Sequence, residues 1–184
     1  MRILAWNVRG GSDPSVAEAV CSLSPDVVVL ADCRPSHYVG IAGQLRSSGY
    51  SWVTGANEGD YTGLMIASRS PMGPGSTASR VLPGRWCHVR LRELGTSIVG
   101  IYGPLAIKGK SRLVPSFWSE LIQVEPMLRA EHTLIAGDLN TASHAKDTSS
   151  GQPLPAGQEM QQVLDQGWRD AFREANGDRQ EFSY

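Results

Sequence analysis

Five apolar residues in succession, Val27 to Ala31, constrain this chain more than any other stretch. A short continuous run bounded by Asp26 and Asp32 reads as a strand covered on both faces, because a strand with one wet face would alternate. Such a strand needs a layer above it and a layer below it, which points to an α/β architecture. The preceding segments supply part of that cover. Met1 to Val8 reads as a strand that starts almost at the first residue, and Arg9-Gly10-Gly11-Ser12 ends it. Asp13-Pro14-Ser15 opens a helix, with Ala17, Val20, Cys21 and Leu23 as its apolar stripe.

Both strands finish in a polar residue, Asn7 and Asp32. A third example is sharper. In His132-Thr133-Leu134-Ile135-Ala136-Gly137-Asp138-Leu139-Asn140-Thr141, a buried apolar run ends at a glycine, and a carboxylate and a carboxamide follow with one residue between them. Strand alternation would send Asp138 and Asn140 to the same side. Open α/β sheets build their sites at such carboxyl ends. Taken alone, Asp-Leu-Asn-Thr reads rather as a turn with a helix cap, and the rest of the chain reverses that reading. A fourth candidate closes the run Ile98-Val99-Gly100-Ile101-Tyr102, where a tyrosine sits at the strand end. Asn7, Asp32, Asp138 and Asn140, four oxygen-bearing side chains on one edge, would suit a hard cation such as Mg²⁺, which binds through one or two carboxylates plus a substrate phosphate.

The remaining segments read in order. A helix is expected from His37 to Gly49, a short strand from Tyr50 to Val53, and a longer strand from Gly63 to Met72. Gly73 to Ser79 reads as a loop, and two β segments follow over 85–91 and 96–102. The alternation of Trp86, His88 and Arg90 against Cys87, Val89 and Leu91 predicts one covered and one open face, with His88 solvated on the open one. Lys108-Gly109-Lys110 lies in a loop. Phe117, Trp118, Leu121 and Ile122 set up an amphipathic helix that leads to the strand before Asp138, read as a central one. A long loop spans 141–158, and Met160, Val163, Leu164 and Trp168 predict a helix carrying on toward Phe172. A last strand starts at Gln180.

Length and composition fit one globular domain over residues 1–184, with 41% hydrophobic and 19% charged residues. No apolar run is long enough for a membrane span, and the three cysteines lack disulfide or zinc spacing, so a cytoplasmic protein is expected. The net charge of −1 excludes a generic polyanion binder. Between Tyr61 and Ala130, however, nine Lys or Arg stand against three Asp or Glu. A basic band beside an acidic site would suit a substrate carrying phosphate.

With these residues in place, the chain resembles the endonuclease/exonuclease/phosphatase superfamily, and within it the exonuclease III-like nucleases. Six pieces carry the resemblance in the family's order: Ile3 to Val8, Asp26 to Asp32, Gly63 to Met72, Val99 to Tyr102, Ala136 to Thr141, and Gly167-Trp168-Arg169-Asp170-Ala171. The resemblance implies a DNase I-like, two-sheet α/β sandwich flanked by helices, with the site at one rim. It makes Asn7 and the acid at position 32 metal ligands for Mg²⁺, with Mn²⁺ as an alternative. Tyr102 would hydrogen-bond the scissile phosphate, Asp138 would position and deprotonate the attacking water, and Asn140 would hold that water or a phosphoryl oxygen. Lys110 joins Tyr102 and Asn140 as an expected substrate contact.

Two departures from the family pattern matter. The family ends its second strand in Gln-Glu, where this chain has Ala31-Asp32. The later Arg-(apolar)-Asp and Ser-Asp-His motifs have no counterpart, and none of His37, His88, His132 and His144 stands in the family's histidine position. The expectation is therefore a fold incomplete at its C-terminus, with an exposed sheet edge through which the chain could self-associate or take a partner. The implied activity is Mg²⁺-dependent phosphodiester hydrolysis, on DNA by preference, impaired in this form. The competing readings are an inactive phosphate- or metal-binding remnant and a phosphatase for a small phosphoester.

Overall fold

The computed structural model describes residues 1–56, 63–105, 113–143, 145–149, 151–152 and 154–180. Lys110, His144 and the strand expected past Gln180 lie outside the described residues. Two compact units are present, one formed by Met1–Tyr102 with Ala130–Asp138, the other by Gly103–Arg129 with the chain from Leu139 onward.

The first unit contains β1 (Ile3–Gly10), α1 (Val16–Leu23), β2 (Val27–Cys33), α2 (Pro35–Ser47), β3 (Trp52–Ala56), β4 (Gly63–Ser68), β5 (Met72–Pro74), β6 (Trp86–Leu91), β7 (Thr96–Tyr102) and β8 (Thr133–Asp138). They form two four-stranded sheets, in the orders β1-β2-β4-β3 and β5-β6-β7-β8. The pairs β1–β2 and β7–β8 are parallel and the rest antiparallel. The strand β2 explains the layering. Its Val28, Leu30 and Cys33 pack with Val16 and Val20 of α1 and Ile41 and Leu45 of α2. Its Val27, Val29 and Ala31 pack between the sheets with Ile66, Val89 and Ile98. All five residues from Val27 to Ala31 are at most 1% exposed, and each Val or Leu so buried contributes about 1.5–3 kcal/mol. The expected α/β two-sheet sandwich with helices against a sheet is the fold observed.

The second unit contains α3 (Leu113–Ala130, its last residue in the first unit), α4 (Gly157–Asp165) and α5 (Ala171–Asn176). The helix α3 buries Val114, Phe117, Trp118, Leu121 and Leu128 at helical spacing. Glu125 lies on that same stripe, 2% exposed. It is compensated by the Trp168 indole N–H at 2.8 Å and by Arg129 at 2.9 Å.

Several expectations are corrected. The strand expected over 63–72 is two strands in two sheets, because Pro71 cannot donate to a continuing ladder. Its second half, β5, occupies the start of the expected loop. The helix α2 begins at Pro35, before His37, since a proline suits the first helical turn. The expected helix through Trp168 to Phe172 is two helices. Gly167 adopts φ +100°, and Asp170 then caps α5 by accepting from the Phe172 and Arg173 amides at 2.9 and 3.0 Å. Among the described residues the strand β8 is not central and not fully buried; it pairs there with β7 alone, and Leu134 is 37% exposed. The edge strand of the other sheet, β1, likewise leaves Trp6 38% exposed.

The largest correction concerns His88, which is buried rather than solvated, as is Trp86 on the same face of β6. The segment after β5 covers them. Gly75 donates its N–H to the His88 carbonyl at 2.9 Å, and a Cβ on Gly75 would stand 2.1 Å from the imidazole ring. The Thr77 amide donates to His88 Nδ1 at 3.2 Å, which leaves the ring proton on Nε2, 3.5 Å from Glu131 Oε2. Burial holds the imidazole below its ordinary value, although Glu131 opposes the shift.

Candidate active site

Two bulges shape the rim where β1 and β2 end. Between Asn7 and Gly10 the register of β1 against β2 shifts, and between Ala31 and Cys33 the register of β2 against β4 shifts. Asp32 is the extra residue of the second bulge, and its backbone is left-handed at φ +58°. Bulges re-aim side chains, and an L-residue held in that conformation costs on the order of 1–3 kcal/mol. The strain is spent at a residue that carries a carboxylate.

A different constraint sets the end of β8. Gly137 has φ +135°, and a Cβ there would stand 2.0 Å from the Ile101 carbonyl oxygen, so glycine is required by close approach of β7 and β8. Asp138 follows, in register with Tyr102 of β7. Asn7 and Asp138 then meet across the two sheets, with Asn7 Nδ2 donating to Asp138 Oδ2 at 2.6 Å. The other end of the Asn7 amide, Oδ1, accepts from the Arg9 amide at 2.9 Å.

Both acids act on Tyr102. Burial is the main reason its phenol is pushed up; the Asp32 charge, a hydrogen bond to Asp32 and the Asp138 charge push the same way, and Arg85 opposes them. The phenol therefore stays protonated near neutrality and donates, with Asp32 as acceptor. The Arg85 guanidinium lies over the Tyr102 ring, 4.2 Å from its centroid. In the sequence Arg85 is one member of the basic band between Tyr61 and Ala130. The signal that could have placed it is strand pairing: Trp86 is opposite Ile101, so antiparallel register sets Arg85 opposite Tyr102.

The structure thus brings Asn7, Asp32, Tyr102 and Asp138 together in the first unit. Asn140 belongs to the second unit. The strand ends at Asp138, so strand alternation does not extend to Asn140, which is left-handed at φ +49° and donates from Nδ2 to the Gly103 carbonyl at 2.8 Å. The basic middle third is dispersed: Arg90 pairs with Glu131, Arg129 with Glu125, and Arg69 lies over Tyr50.

The model for the endonuclease/exonuclease/phosphatase family matches residues 4–179. The chain belongs to this family. Membership places it in a family of nucleases and phosphatases, hydrolases of phosphoester bonds, and the site above lies where two sheets of this endonuclease/exonuclease/phosphatase protein meet. No curated protein matches it. Solved structures with the same fold include a 3′-5′ exonuclease from Neisseria meningitidis, at 19% identity and a TM-score of 0.74, covering 95% of this chain and 74% of that one. An AP endonuclease from Archaeoglobus fulgidus has 18% identity and a TM-score of 0.77, with 97% and 76% covered. A 3′ phosphatase from Neisseria, bound to a product DNA hairpin, has 21% identity and a TM-score of 0.74, with 95% and 74% covered.

The family implies a divalent cation, and the donor chemistry of this site fits one. Among the described residues no group of three or more His, Cys, Asp or Glu could hold a metal ion. Two carboxylates and a carboxamide oxygen are nevertheless the ligand class that Mg²⁺ takes when substrate phosphate completes the sphere. Among the described residues no helix is long and apolar enough to cross a membrane.

Proposed function

We propose that this protein is a divalent-metal-dependent phosphodiesterase that cleaves DNA. The observation that carries the reading is the Asn7–Asp138 bond at 2.6 Å, which holds one carboxylate beside the Tyr102–Asp32 pair at a shared rim. Asp32 and the Asn7 carbonyl oxygen would hold Mg²⁺ or Mn²⁺, and such a cation, when bound, absorbs the charge that develops on the phosphate. Asp138, oriented by Asn7, takes the proton of the attacking water. Tyr102 donates its hydroxyl hydrogen to a phosphoryl oxygen once substrate displaces Asp32 as its acceptor. The role of Asn140, holding the water or a phosphoryl oxygen, rests on the motif Asp138-Leu139-Asn140 itself. DNA as substrate draws support from the neighbour bound to a DNA hairpin.

The test is hydrolysis of a fluorescent abasic-site duplex with Mg²⁺ and with a chelator, for the natural chain and for Asp138→Asn. Cleavage should require the metal and fall by about 10²–10⁴-fold in the variant, the usual contribution of a positioned base. Cleavage of a small phosphomonoester but not of the duplex would make the protein a phosphatase. Mg²⁺ binding with neither activity would make it a metal-binding remnant and sink the hydrolase reading.

A further inference from the structure

We propose that residues 75–77 form an acid-operated latch on β6: protonation of His88 removes the acceptor that holds Thr77, and the segment lifts while the sheet beneath stays folded. The latch stands whether or not the chain cleaves phosphoesters.

The geometry joins the segment to one imidazole. Cys87, Val89 and Leu91 pack between the sheets, which turns His88 to the opposite face of β6. There its side chain is enclosed, at 0% exposure. Two donors of a single residue reach Nδ1, the Thr77 amide at 3.2 Å and the Thr77 hydroxyl at 2.9 Å. The hydroxyl oxygen accepts from the Trp86 indole N–H at 3.2 Å, so its own hydrogen is left to point at Nδ1. Gly75 seats the ring from a second side. It donates to the His88 carbonyl at 2.9 Å, and a Cβ on it would stand 2.1 Å from the imidazole. Ring and segment therefore move together or not at all. At the far side of the ring the supply is reversed: the buried Nε2 has no hydrogen-bond partner, and Glu131 Oε2 stands 3.5 Å from it.

A neutral ring suits this arrangement, and a charged one inverts it. Once Nδ1 carries a hydrogen, the Thr77 amide and hydroxyl face a donor where they had an acceptor. Nε2 meanwhile gains from the Glu131 carboxylate, so the charged ring stays with Glu131 and the segment is what leaves. Glu131 and Arg90 are the charged groups that act on the ring. Residues 75–77 bring no charge to it, and neither does Val99, its partner on β7. Lifting the segment admits water, which relieves the burial that opposes the charge. The open form thus takes up the proton more readily. Below pH 6.5 opening becomes easier by about tenfold per pH unit, until the closed form is protonated as well. The segment continues into the turn Pro83–Arg85, whose last residue lies over Tyr102, so the latch frees a stretch of chain that ends at the candidate site.

The test is amide exchange by NMR on the full chain from pH 8 to pH 5, corrected for the intrinsic pH dependence of exchange. Protection of the Thr77 amide should be level above pH 7 and fall by about tenfold per unit below pH 6.5. Low urea should leave that exchange unchanged, because a local opening exposes little surface. Amides inside β7, such as Val99, should stay better protected and respond to urea. In H88N, whose side-chain oxygen accepts from Thr77 at every pH, the fall should vanish. The ¹⁵N shifts of the His88 ring provide a check that needs no variant: at pH 8 they should report a hydrogen on Nε2 and a bare Nδ1. A hydrogen on Nδ1 at pH 8 overturns the latch. So does Thr77 exchange that matches β7 in protection and urea response, since the segment then leaves only when the sheet unfolds. A fall that persists in H88N, or none in the natural chain, overturns it too.

Discussion

At the scale of single residues, the site is a set of short side chains held by other short side chains. Asp32 replaces the longer acid that the family pattern places at the end of the second strand, and it stands on a left-handed bulge, a feature that re-aims a side chain. Extending the arm at a position already re-aimed by the backbone should not improve metal binding. Asp32→Glu is therefore expected to weaken Mg²⁺ affinity, by about 10-fold, the lower end of the range for disturbing a metal-site partner. Calorimetric Mg²⁺ titration of both proteins checks this, and tighter binding by the Glu variant would show that the bulge does not compensate for length. Asp32 and Asp138 were legible in the sequence because each ends an apolar run. Arg85 was not, because its placement depends on the register between the β segments 85–91 and 96–102, which their apolar residues alone do not set.

At the scale of elements, the pairing of β7 with β8 places Tyr102 beside Asp138. That pairing needs Gly137, whose Cα stands where any Cβ would strike the Ile101 carbonyl. Gly137→Ala should cost about 2–4 kcal/mol, since the clash is with backbone and the new residue is also strained at that φ. Denaturant unfolding would register the loss, and a midpoint within error of the natural protein would mean that β8 shifts freely. The layering was readable from β2 because five apolar residues between two aspartates leave neither face of the strand a polar side for solvent. The edge position of β8 was not, since a half-covered and a fully covered strand can carry the same apolar residues. His88 was misplaced for a related reason. The cover on that face of β6 comes from residues 75–77 and Glu131, far apart along the chain.

At the scale of the whole molecule, the buried imidazole makes stability depend on pH. His88 has a folded-state pKa below its unfolded value of 6.5. Between the two values the unfolded chain binds more protons, so stability rises with pH there. The contribution of neutral His88 is fully present above pH 6.5 and is lost as pH falls toward the lower folded value. Glu131, held below 4.5 chiefly by its hydrogen bond to Arg90, adds a second loss at more acid pH. Urea midpoints at pH 7.5 and at pH 5 should differ in the natural protein, and the difference should shrink in His88→Asn, which keeps an acceptor for the Thr77 amide without a titrating ring. An unchanged difference would place the pH dependence elsewhere.

The bulge at Asp32 also bears on how the chain finds its own alignment. Residues 27–31 are apolar on both sides of β2, so sliding the strand by one position exchanges Val28 and Leu30 for Val27, Val29 and Ala31 without exposing a charge. Ordinary strands are keyed by the contrast between a dry face and a wet one; β2 has no such contrast to be keyed by. Its alignment is fixed at the end of the run instead, where one residue must leave both ladders at once. The carboxylate proposed to hold the metal is thus also the notch that tells an inner strand of its sheet where to stop.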